Sequence, residues 1–149
     1  MAHSAPTPLL FDAPLGTALN QPLHDQIVVT AATGEQYLID VLEAQPLGLI
    51  VEGYVHDVEH LLANIPHRSG MFYIGPKLPH TLLTPCERRG LRMLVSNMTN
   101  AQIARKLSRS VSTINTQVSA ILEKMGVHSR QEAINTYWGI RTPPIHLDK

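Results

Sequence analysis

Apolar positions change their spacing several times along this chain, and each change marks an element. Gln26-Ile27-Val28-Val29-Thr30 is continuous and β-branched, the pattern of a strand covered on both faces. From Gly34 to Ala44, Tyr37, Leu38, Val41 and Leu42 recur at helical spacing and share one side of a helix. Gly48-Leu49-Ile50-Val51 repeats the strand pattern. Val55 to Ile65 repeats the helical one through Val58, Leu61, Leu62 and Ile65. The order βαβα predicts parallel strands with right-handed crossovers. Residues 1–24 are proline-rich and aperiodic, an irregular arm whose run Pro8-Leu9-Leu10-Phe11-Asp12 is a candidate edge strand. Residues 66–82, punctuated by Pro66, Gly70, Gly75, Pro76 and Pro79, form a linker around the apolar stretch Met71-Phe72-Tyr73-Ile74.

The last third predicts four helices. The first runs from Pro85 to Ser96, with Thr84 as N-cap, Pro85 at the first position and Glu87 three residues after the cap. The second covers Asn100 to Leu107, capped by Thr99 or Asn100. Ser108 and Arg109 make a turn, Ser110 caps the third helix, and Gly126 ends it after Met125 in a left-handed C-cap. The fourth starts from a Ser129 cap and ends near Gly139. The second and third helices with their tight turn form a helix-turn-helix, able to place one helix in a DNA major groove.

Charge changes the picture more than composition does. The 149 residues have a net charge of zero, but residues 1–80 hold two basic against eight acidic side chains, a balance of −6. Residues 81–149 hold ten basic against four acidic, a balance of +6. Such a division suits a basic half that neutralises phosphates while the acidic half stays off the duplex. Two solvated faces of one domain are the competing reading. The length fits one ordinary domain or two small ones. No apolar run approaches a membrane span, and no signal-like segment opens the sequence. Cys86 is the single cysteine, which excludes an internal disulfide and fits a reducing cytoplasm. At a helix start it is a candidate redox thiol, against an inert, partly buried one.

Enzyme chemistry is not indicated: there is no Gly-rich phosphate loop and no nucleophile constellation. His56-Asp57-Val58-Glu59-His60 formally fits an H-x-x-E-H zinc pattern, with His67 or His80 as a third ligand. A short match in a His-rich chain without room for a cleft is better read as surface histidines, so no metal or cofactor is expected.

The C-terminal pattern resembles the LuxR/FixJ-type helix-turn-helix domain of bacterial transcription regulators. The resemblance covers about Leu83 to Ile140. It rests on Leu83-Thr84-Pro85-x-Glu87, Ile103-Ala104-x-x-Leu107, Ser110-Val111-x-Thr113-Ile114, Val118-x-x-Ile121 and Lys124-Met125-Gly126-Val127, followed by Ser129-Arg130-x-x-Ala133. Ile103, Ala104, Leu107, Val111, Ile114, Val118 and Ile121 are the expected core between the two helices. By this resemblance Asn115, Thr116 and Ser119 are candidates for DNA base contact, an Asn favouring adenine. Ser110, Thr113, Gln117 and Lys124 are candidates for DNA backbone contact. A merely solvated face is the alternative. The chain departs from the family pattern at Cys86 for arginine, Gly90 for a branched apolar residue, Asn97 for glycine and Gln117 for histidine. It also lacks the lysine common near Asn115.

Residues 25–65 resemble the second half of a response-regulator receiver. Thr30 falls at the switch position, and Glu52 stands where the family has a lysine. Asp12 is a candidate relic of the phosphate acceptor. A carboxylate in place of that lysine repels a phosphoryl group, so phosphorylation is not expected to switch this protein. The fold class expected is α+β overall: a truncated receiver-like α/β region at 25–65 and an all-α four-helix domain at 83–142, with a tail at 143–149. The expected function is a dimeric, sequence-specific regulator of transcription that binds double-stranded DNA. The alternative is an interaction inhibitor or co-regulator that heterodimerises with a full-length response regulator. Tyr37, Tyr54, Leu61 and Leu62 are the candidate dimer interface, set against a self-sufficient minidomain completed by the Pro-rich arm.

Overall fold

The computed structural model describes residues 9–64, 71–78 and 83–139. Residues 1–8 of the expected arm, 65–70 and 79–82 of the expected linker, and 140–149 with the tail lie outside the described residues, as do His67 and His80. The chain divides into two compact units, Met1–Leu78 and Pro79–Lys149. The overall class is α+β.

The first unit is a four-stranded parallel sheet in the order β1-β2-β3-β4, comprising Leu9–Phe11, Ile27–Thr30, Gly48–Val51 and Phe72–Ile74. Helix α1 (Glu35–Glu43) lies between β2 and β3 in sequence, and α2 (Val58–Asn64) between β3 and β4. Every residue of β2 and β3 is buried, as their unbroken apolar runs require in a sheet covered on both faces. The register pairs Ile27 with Gly48 and Val29 with Ile50, so these positions share one face. Val58, Leu61 and Leu62 of α2 pack there on Ile27, Val29 and Ile50, together with Val55 and Phe72.

The sheet is wider than the sequence pattern suggests. It recruits Leu9–Phe11 from the Pro-rich arm, paired in register with Ile27–Val29, and Phe72–Ile74 from the expected linker, paired with Gly48–Ile50. The latter pairing depends on Gly48: a Cβ there would lie 2.2 Å from the Phe72 ring. The missing side chain is thus the slot the ring fills. Residues between β1 and β2 also enter the core, with Ala18 and Leu23 buried.

Two expectations are corrected in this unit. Tyr37 is fully buried within its own chain, so it is not available to a dimer partner. Leu9–Phe11 of the arm pair with β2, and Leu61 and Leu62 spend apolar surface on the core of this unit. Helix α2 is also shorter than Val55 to Ile65. Residues Glu52–Tyr54 take a 3-10 turn, and the Asp57 carboxylate accepts from the His60 backbone N–H at 3.0 Å, which starts the helix at Val58. His56 therefore precedes the helix, and His60 lies in its first turn.

The second unit contains α3 (Pro85–Val95), α4 (Asn100–Leu107), α5 (Val111–Met125) and α6 (Arg130–Trp138). Leu91, Leu94, Ile103, Ile114, Ile121, Ala133 and Tyr137 form its interior, each no more than about 1% exposed.

Candidate nucleic-acid interface

Each helix of the second unit begins where a side chain replaces the missing helical acceptor. Thr84, Thr99, Ser110 and Ser129 accept from the backbone N–H groups of Glu87, Gln102, Thr113 and Glu132. Thr84 with Glu87 and Thr99 with Gln102 close reciprocal capping boxes. Between α4 and α5 the chain turns at Ser108, which adopts the left-handed conformation with φ 54°. Asn97 does the same at φ 64° in the α3–α4 turn, as its replacement of a glycine predicts.

Ile103, Ala104 and Ile114 form the buried contact between α4 and α5, flanked by Met93, Met98, Leu107 and Val118. One expected core residue is misplaced: Val111 is 46% exposed. It belongs to the first turn of α5, where Val111, Ser112 and Thr113 are all exposed and α4 gives no cover.

With Ile114 and Ile121 inward, the opposite stripe of α5 is open. Ser112, Asn115, Thr116 and Ser119 follow one another at i, i+3, i+4 and i+7, all exposed. The structure therefore groups the three candidate base-contact residues on one outward face and adds Ser112 and Val111 beside them. The Thr116 hydroxyl donates to the Ser112 carbonyl at 3.2 Å, which leaves its oxygen lone pairs facing outward. The Asn115 side-chain oxygen accepts from Asn100 Nδ2 at 2.8 Å.

The backbone-contact candidates divide differently. Ser110 and Thr113 are exposed at the N-terminus of α5 and hydrogen-bond to each other at 2.8 Å. Gln117 and Lys124 are engaged inside the unit. The Gln117 amide donates to the Cys86 carbonyl at 3.0 Å and to Cys86 Sγ at 3.3 Å. Lys124 is paired with Glu87 at 2.6 Å. Sequence reasoning passed over Arg105, Lys106 and Arg109, exposed cations that precede the Ser110 cap. Their clustering was visible in the sequence.

Two departures from the family pattern are explained together. A Cβ at Gly90 would lie 3.3 Å from Ile121 Cδ1 and 3.4 Å from the Gln117 amide nitrogen. The glycine thus keeps open the space through which Gln117 reaches the first turn of α3, and a branched residue would close it. Cys86 is a free thiol and exposed, not partly buried.

The Lys124 ammonium, followed by the Thr84 backbone N–H, holds the Glu87 carboxyl below the usual glutamate range. A depressed folded-state value stabilises the unit above the unfolded value and is lost as pH falls through the folded one. Wild type should therefore lose melting temperature more steeply than Glu87→Gln as pH is lowered from about 6 to about 3. Parallel profiles in a thermal-melt series would show that the ion pair contributes nothing.

The family described as bacterial regulatory proteins, luxR family, matches residues 81–137. No curated protein matches the chain. Among solved structures, the two-component response regulator RcsB–DNA complex is 25% identical over 78% of this chain and 60% of its own, with a TM-score of 0.37. RcsB from Salmonella enterica serovar Typhimurium bound to promoter rprA with phosphomimetic BeF3- is 24% identical over the same shares, with a TM-score of 0.41. Response regulator ChrA of a heme-sensing two-component system is 20% identical over 80% of this chain and 63% of its own, at a TM-score of 0.35. The chain thus spans about three fifths of the length of these structures. Residues 81–137, with their capped helices and outward polar stripe, are a domain of the luxR family of bacterial regulatory proteins.

Proposed function

We propose that this protein is a sequence-specific regulator of transcription that binds double-stranded DNA as a homodimer in the cytoplasm. The observation that carries the reading is the stripe Ser112, Asn115, Thr116 and Ser119, uncovered on α5 and led by the Ser110 cap. Hydroxyl and amide groups in that arrangement suit the donor and acceptor edges of the major groove. Ser119 and the methyl groups of Val111 extend the face at either end. Arg105, Lys106 and Arg109 supply phosphate contacts beside the positive end of α5, alongside Ser110 and Thr113. Gln117 and Lys124 fix α5 against α3 through Cys86 and Glu87.

Control by phosphorylation is not part of the reading. Asp12 is buried, and its carboxylate accepts from the Gly16 and Ala18 backbone N–H groups, the Thr30 hydroxyl and the Tyr37 hydroxyl. A carboxylate so occupied has no oxygen free to attack a phosphoryl donor, and Glu52 puts a carboxylate where the resemblance to receivers would have a lysine. Homodimerisation rests on the remaining exposed surface, Tyr54 foremost, and on the pairing of helix-turn-helix proteins over two half-sites.

Selection of bound oligonucleotides followed by a gel-shift titration tests the proposal. The protein alone should show a preferred sequence. Asn115→Ala combined with Thr116→Ala should lower affinity for it about 30-fold or more while weak nonspecific binding persists. Binding only after a response regulator is added would replace this reading with the heterodimeric co-regulator. Acetyl-phosphate labelling that disappears in Asp12→Asn would refute independence from phosphorylation.

A further inference from the structure

Three side chains from three helices of the second unit form one directed chain. Arg130, the first residue of α6, donates Nη1 to the Met98 carbonyl at 2.9 Å and Nη2 to Asn100 Oδ1. Asn100, the first residue of α4, donates Nδ2 to Asn115 Oδ1 at 2.8 Å. The direction of the chain follows from chemistry alone. A guanidinium carries donors and no acceptor, so the Asn100 oxygen must face Arg130. Its amide nitrogen then faces Asn115, which can meet it only with oxygen. The Asn115 amide nitrogen is left for the exposed face of α5.

We infer that Arg130 and Asn100 are positioning residues that present Asn115 to DNA as a hydrogen-bond donor. This rests on the reading that α5 lies in the major groove. An asparagine free to use both ends reads adenine, accepting from N6 and donating to N7. Asn115 has its oxygen engaged and offers an NH2 group outward. The base edge that matches two donors is the one with acceptors only, the N7 and O6 of guanine. The expectation of adenine drawn from residue type alone is therefore replaced by guanine at the position Asn115 touches. Arg130 and Asn100 act on the base only through Asn115, so their effect is on which base is preferred rather than on contact area.

Asn100→Asp separates this role from a structural one. The carboxylate still accepts from Arg130 but cannot donate, so Asn115 must turn its NH2 inward and its oxygen outward. In the full-length protein, oligonucleotide selection should give guanine at the position whose preference vanishes in Asn115→Ala. In Asn100→Asp that position should change to adenine or cytosine, with the relative affinity for guanine falling about tenfold or more. Arg130→Lys, which still only donates, should keep guanine. Retention of guanine in a folded Asn100→Asp protein overturns the inference.

A measurement without DNA decides the orientation independently, even if the protein were to bind no operator. Side-chain amide exchange by NMR should be fast for Asn115 in wild type and several-fold slower in Asn100→Asp. Equal rates overturn the inference, whereas absence of any sequence preference in wild type overturns only the proposed function.

Discussion

Asp12→Ala is expected to cost the sheet unit about 3–5 kcal/mol, enough to leave a small domain close to unfolding. The Asp12 carboxylate is 4% exposed. It ties the 3-10 turn Thr17–Asn20 to the end of β2 and to α1 through donors at 2.9 Å from Ala18, 3.0 Å from Gly16, 2.8 Å from Thr30 and 2.5 Å from Tyr37. Alanine would strand two backbone N–H groups and two hydroxyls away from water, each at a cost of about 1–3 kcal/mol before relaxation. Asn is the informative control. It keeps an oxygen for the two N–H groups and turns its amide to the hydroxyl oxygens, so Asp12→Asn should cost about half as much. Burial, and after it the Asp12 carboxylate, holds the Tyr37 phenol protonated well above the usual tyrosine range. The network thus keeps its donors through ordinary pH. Hydrogen exchange of the β2 and β3 amides reads the first unit without interference from the second, since the two need not unfold together. Equal losses for the two substitutions would mean that the one oxygen Asn retains gives no rescue, against the partial cost expected here.

Ile114→Ala should remove about 3 kcal/mol from the second unit, through lost burial and the cavity left beside Ile103 and Ala104. Trp138, the single tryptophan, packs edge-on against Tyr137 with ring centroids 4.9 Å apart and reports unfolding of this unit by fluorescence. Stability and operator affinity should fall together in Ile114→Ala. In the Asn115→Ala, Thr116→Ala pair, affinity should fall with the melting curve unchanged. If the two proteins lost affinity and stability in the same proportion, α5's outer stripe would be structural and the proposed interface would fail.

The helices of the second unit were readable to within a residue or two because each is bounded by its own caps. Thr84 with Glu87, Ser110 with Thr113 and Ser129 with Glu132 act across three residues, and local chemistry of that kind survives in the linear sequence. Strands β2 and β3 were readable for a similar reason: an unbroken β-branched run has to be covered on both faces wherever it lies. Strands β1 and β4 were weaker signals. Each is three residues long in a proline- or glycine-rich setting, and β4 is defined by the slot above Gly48 on a different strand.

Side-chain roles were legible in type and not in partner. Asn115, Thr116 and Ser119 were candidates through the family resemblance, and they lie on the exposed side that helical spacing allows. Gln117 and Lys124 share that helix, but their hydrogen-bond partners are 31 and 37 residues away on α3, which spacing along α5 cannot reveal. Tyr37 read as half of an amphipathic helix offered to a partner chain. Its hydroxyl is instead met 25 residues earlier by Asp12, itself a charge in a stretch with no periodicity.

What the sequence determined by itself was the set of helices and buried strands, the two oppositely charged halves and the helix-turn-helix, since caps, turn residues and hydrophobic periods act over one to four residues. Tertiary structure alone decided that the arm completes the sheet, that Asp12 is enclosed, and that Asn115 turns its nitrogen outward. Those outcomes depend on which donor meets which acceptor across distances of 15 residues or more, and folding alone sets those meetings.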